Sequence, residues 1–88
     1  MTATMPMTKI EERLFTQIVE CTKNDTVWVR ERWELKRGPE HTEITSRIQA
    51  NLAKERELMD ELSRRAGKER ANELVLAAWA AAFAETPA

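Results

Sequence analysis

The sequence predicts an all-α fold, a small bundle of three to four helices organised around a long antiparallel helical hairpin. Three observations predict it. Only two Gly and three Pro punctuate 88 residues, too few breakers for a set of short strands. Apolar residues recur at three- and four-residue spacings over most of the chain. The composition, 42% hydrophobic and 33% charged, is too apolar for a disordered chain. A chain of this length forms one domain, expected over residues 8–85, and buries only roughly 60 to 65% of the surface its unfolded form exposes. That argues against a large enclosed active site.

Met1–Thr8 hold no Lys or Arg and no apolar run, and Pro6 falls within them, so residues 1–7 are expected to be a disordered tail rather than a leader. Thr8 followed three residues later by Glu11 has the form of a capping box, and Ile10, Leu14, Phe15, Ile18 and Val19 follow at helical spacing. This predicts a first helix over about 8–22. Thr22, Lys23, Asn24, Asp25 and Thr26 then favour local side-chain to backbone bonds, and the chain is expected to reverse there.

Residues 26–37 support two readings. Val27, Val29, Trp33 and Leu35 alternate with Trp28, Arg30, Arg32, Glu34 and Lys36 as in a strand. A helix there gains a cap from Asp25 or Thr26 and basic residues near its carbonyl end. Helix is preferred, because the chain offers no good second strand to satisfy the backbone of a lone one.

Gly38–Pro39 predicts a helix end followed by a new helix start. From there Ile44, Ile48, Leu52, Glu55, Met59, Leu62 and Ala66 form a narrow stripe with Leu58 beside it. A helix over about 40–66 is predicted, roughly 40 Å long, which points to an extended hairpin or a dimer seam. Glu55 interrupts the stripe; the favoured reading places it at an exposed edge with Leu58 packing instead, and a buried Glu55 would call for an Arg or Lys partner. Gly67, after Arg64 and Arg65, predicts a fold-back. The last helix, about 69–84, is apolar nearly all round, from Leu74 and Val75 to Trp79 and Phe83. Such a helix is normally enclosed, so self-association through Leu58, Leu62, Leu76, Trp79 and Phe83 is expected, giving a homo-oligomer.

Fourteen basic and fifteen acidic residues give a net charge of −1, which excludes a global field for nucleic acid or an anionic membrane. The apolar run Leu74–Ala84 is about half the ~20 residues that a membrane span needs. Cys21 is the only cysteine, so neither an intramolecular disulfide nor a cysteine zinc site exists, and a reducing, cytoplasmic compartment is expected. His41 has no second ligand or nucleophile placed beside it, and no phosphate loop or paired-carboxylate signature occurs. No catalytic residue, metal or cofactor is therefore assigned, and an enzyme is not expected.

Trp28 and Trp33 interleaved with Arg30, Arg32, Lys36 and Arg37 form the candidate partner-binding surface, because Trp and Arg dominate protein interfaces. Arg64, Arg65, Lys68 and Arg70 form a second basic cluster around Gly67, read as dipole and solubility residues. The expected function is a non-enzymatic helical interaction module, a small regulator, adaptor or inhibitor of a larger protein. Its size also fits the inhibitors that phages and mobile elements direct at host machinery. The alternative is a nucleic-acid-binding regulator. A strand over 26–36 with Arg30, Arg32 and Lys36 on one face, followed by two helices, resembles ribbon-helix-helix repressors, although a helix precedes the strand and the helix after Pro39 is about twice the length they use.

Overall fold

Thr8 starts the first helix as the capping box requires. Its hydroxyl accepts from the Glu11 N–H at 3.1 Å, and its own N–H donates to Glu11 Oε1 at 3.0 Å. In the computed structural model, which describes residues 6–85, this helix, α1 (Lys9–Glu34), runs 26 residues without a break. The expected reversal over 22–26 is not made. The Thr22 and Thr26 hydroxyls donate to the carbonyls of Ile18 and Thr22, four residues back in each case, so the residues read as turn formers satisfy themselves inside the helix. No Gly or Pro falls between Lys9 and Glu34 to stop it.

Residues 26–34 are thus helical. The strand that supported the ribbon-helix-helix alternative does not form, and the period-two alternation wraps around a helix instead. The first true stop is Leu35–Gly38, where Leu35 is extended (φ −87°, ψ 139°). Pro39 opens α2 (Pro39–Ala66) at its first helical position. Gly67, with φ 90°, forms a one-residue link to α3 (Lys68–Glu85). Its N–H donates to the Ser63 carbonyl at 2.9 Å, and its carbonyl accepts from the Ala71 N–H at 2.9 Å. That positive φ is where glycine has no steric cost.

Among the described residues the fold is all-α, three helices. α1 and α2, about 39 and 42 Å long at 1.5 Å per residue, form the antiparallel hairpin. The shorter α3 returns along both, with Arg70 at Glu11 near the start of α1 and Glu85 at Lys23 in its middle. The chain therefore has two zones. A three-helix body buries Leu14, Ile18, Val19, Cys21, Leu58, Leu62, Ala71, Leu74, Val75, Ala78 and Ala82 in one cluster. Beyond the end of α3, residues 24–34 of α1 and the facing start of α2 project as a two-helix arm, in which Ile44 and Ile48 are buried outside that cluster.

The α2 stripe differs from the expected one at two places, with Asn51 inward in place of Leu52 and Leu58 in place of Met59. Ile44, Ile48, Asn51, Glu55, Leu58 and Leu62 are buried, a strict alternation of four- and three-residue steps that follows the seam of two long antiparallel helices. Leu52 is exposed, and Asn51 takes the inner position by donating its amide to the Cys21 carbonyl at 2.7 Å. Of the tail expected over 1–7, residues 1–5 lie outside the described residues, while Met7 packs against the core. The Pro6 carbonyl accepts from the Arg70 guanidinium.

Candidate interaction surface

Six residues were expected to face a partner, and the structure separates them. Trp33 stands out at 83% exposed on the arm. Arg30, Lys36 and Arg37 are exposed around it, Arg32 is half-buried, and Trp28 is half-buried along the hairpin. One helical turn from Trp33 toward the N-terminus lies Arg30, so the indole and the guanidinium share a face. Val27 is also exposed on the arm. The arm thus presents an aromatic group with basic neighbours near the connection between α1 and α2.

The five residues expected to mediate self-association also divide. Leu58 and Leu62 are buried in the chain's own core, because α3 covers the seam that the sequence left open to a second chain. They are therefore not available to another copy in this fold. Leu76 and Phe83 are more than half exposed on α3, and Trp79 lies at the edge between its outer side and the hairpin. With Ala80, also exposed, they make a stripe at i, i+3, i+4 and i+7, the spacing of a helix-packing ridge.

Sequence reasoning missed the polar node where body and arm meet. Glu55, expected at an exposed edge, is buried at 7% exposure. Its partners are neutral donors rather than the Arg or Lys foreseen. The Trp79 indole N–H donates to Oε2 at 3.0 Å, and Thr22 Oγ1 lies 3.0 Å from the same oxygen. Thr22 also donates to the Ile18 carbonyl, so its single proton serves one of the two acceptors at a time.

Asp25 occupies the next inward position of α1 after Thr22. Its Oδ1 is buried and has no hydrogen-bond partner among the described residues. Burial, reinforced by the nearby Glu55 charge and opposed by Arg32, pushes the Asp25 carboxyl above the usual range. No signal within α1 or α2 alone could have found this node, since Thr22 and Glu55 are 33 residues apart; only the register of the hairpin brings them together.

The raised Asp25 carboxyl carries a stability prediction. The native state binds the Asp25 proton more tightly than the unfolded chain does, so this residue's contribution is most favourable below its unfolded value near 3.8. It is lost as pH rises through the higher native value. Asp25→Asn removes the charge and should raise Tm at pH 7, and the gain should vanish near pH 3. A thermal melt of both chains across that range checks it, and a lower Tm for the variant at pH 7 would show that the charge is satisfied in the native state.

Two residues of the second basic cluster have structural partners. Arg65 pairs with Glu61 at 3.0 Å. Arg70 forks onto Glu11, Nε to Oε2 at 3.1 Å and Nη2 to Oε1 at 3.2 Å. That fork is the main reason the Glu11 carboxyl is held below its ordinary value, helped by the Thr8 N–H. Cys21 is buried and its thiol is pushed up by desolvation, the environment of a packed rather than an activated cysteine. Among the described residues no three His, Cys, Asp or Glu side chains gather as metal ligands, and no helix is long and apolar enough to cross a membrane. Comparison of the chain with protein-family models, curated proteins and solved structures finds no match to any of them.

Proposed function

We propose that this protein is a non-enzymatic helical interaction module of the cytoplasm, a regulator, adaptor or inhibitor that docks its two-helix arm on a larger protein. Trp33 is the observation that carries this reading. A tryptophan 83% exposed near the end of a helical arm leaves its large apolar surface in water, and Trp and Arg are enriched among the residues that anchor protein interfaces. The polar rim of such an anchor would come from Arg30, Lys36 and Arg37. The stripe Leu76, Trp79, Ala80 and Phe83 supports a second element of the proposal, pairing of two copies through α3, where the isologous contact of a two-fold axis would set Leu76 of one copy against Phe83 of the other.

The test is affinity capture with the purified chain and its Trp33→Ala variant. A specific partner should bind the wild type at least about tenfold more tightly, as for a hot-spot residue, while circular dichroism stays unchanged because the side chain lies outside the core. Equal capture by both would remove Trp33 as the anchor. Light scattering at several concentrations tests pairing separately; a monomer at all of them would leave the α3 stripe to the partner.

A further inference from the structure

The node between body and arm borders a cavity of about 260 Å³ lined by Thr22, Asp25, Glu55, Trp79 and Phe83. No Lys or Arg is among these residues. Two carboxylates from different helices meet across it, Asp25 on α1 and Glu55 on α2, and two aromatic side chains of α3 make the other wall. The Asp25 Oδ1 is buried and unpartnered among the described residues, and both hydrogen bonds of Glu55 end on Oε2. Arg32 attracts Asp25 electrostatically but leaves Oδ1 without a bond. The walls therefore offer acceptors and aromatic surface, which a guest that brings donors would complement.

We propose that this cavity binds a guanidinium group, held by Asp25 and Glu55 and stacked on the Trp79 and Phe83 rings. A planar guanidinium carries five donors in a fixed fork that fits carboxylate oxygens, lies flat on aromatic faces, and gives up its water more readily than an ammonium does. A metal ion would call for a third ionised ligand, which the described residues do not bring here, and would gain nothing from two aromatic walls. The volume, several times the roughly 30 Å³ of one water, admits the group and its first methylenes. A single positive charge between two carboxylates also removes the repulsion that burdens Asp25.

The experiment is a ¹H–¹⁵N titration of the intact chain at pH 7, read at the Trp79 indole N–H, whose resonance is assigned by its loss in Trp79→Phe. Methylguanidinium should shift it saturably. Methylurea, its neutral counterpart, and sodium chloride at equal ionic strength should not. Asp25→Asn should weaken binding about tenfold or more, the loss of a charge-assisted bond, while the dispersed spectrum shows that the variant is folded; Glu55→Gln serves should it not be. Tighter binding of N-acetyl-arginine amide than of methylguanidinium assigns the natural guest to a protein side chain, and the reverse order assigns it to a small free guanidine. The proposal is overturned by a shift that does not saturate, by the same shift from methylurea or salt, or by undiminished affinity in both variants. Trp33 lies elsewhere on the arm, so Trp33→Ala should bind methylguanidinium normally, and the result stands apart from the fate of the docking proposal.

Discussion

Leu62→Ala should destabilise the fold by about 3 to 5 kcal/mol, whereas Leu76→Ala should change it by less than about 0.5 kcal/mol. Both substitutions remove the same atoms, and both leucines stood together as a self-association surface in the sequence. Leu62 is fully buried (0% exposed) among side chains of all three helices, and Leu76 is 53% exposed. Truncating Leu62 leaves a cavity that a close-packed interior fills only in part, while truncating Leu76 opens none. A small domain has about 5 to 15 kcal/mol in total, so Leu62→Ala should be largely unfolded at modest temperature. Urea midpoints of the two variants at low protein concentration check this. A large loss for Leu76→Ala at high protein concentration that shrinks on dilution would instead mean that the α3 stripe is covered by a second copy in the wild type.

Glu55→Ala should cost about 2 to 3 kcal/mol, and Glu55→Gln under about 1 kcal/mol. The alanine variant leaves the Trp79 N–H without its acceptor and returns Thr22 to a local bond only. A fully buried donor without its acceptor forfeits roughly 1 to 3 kcal/mol; the part-buried indole N–H loses a share of this, and the lost packing of the buried Glu55 side chain adds to it. Glutamine keeps an acceptor oxygen at the same reach, and removing the charge beside Asp25 returns part of the loss. Chemical denaturation with Trp fluorescence distinguishes the pair. Equal stability for both variants would mean that the Trp79 bond contributes nothing and that the indole is held by packing alone.

Signals that act over three or four residues were legible in the sequence. The Thr8–Glu11 capping box, the Gly38–Pro39 stop and the Gly67 fold-back each depend on the chain's immediate neighbours, and all are present where they were read. The stripe of α2 was legible at Ile44, Ile48 and Leu62 for the same reason. Illegible was whatever depended on the partner helix. Thr22, Asn24, Asp25 and Thr26 have turn chemistry in isolation, yet Asn51 bonds the Cys21 carbonyl and Glu55 meets Thr22 from the opposite helix, so the context favours a helix that propensity alone leaves undecided. Leu52 was assigned inward on hydrophobicity, and Asn51 displaced it because one amide finds a carbonyl there. For the candidate surface, the alternation set Trp33 and Trp28 on different faces, but which of the two faces water was illegible, because that depends on where α2 packs against α1.

The brevity of α3 has a consequence for the rates at which different parts of the molecule open. Amide protons of the body are shielded by three helices and a shared apolar cluster, so their exchange with solvent requires near-global unfolding. The arm past Lys23 has only its two helices, and its buried Ile44 and Ile48 lie outside the main apolar cluster. Its amides from Val27 to Glu34 and from Glu40 to Gln49 can exchange through a local separation that leaves the body intact. Hydrogen exchange should therefore divide the chain into a fast and a slow unit, with the boundary at Asn51 and Glu55, and the segment that carries Trp33 belongs to the fast one.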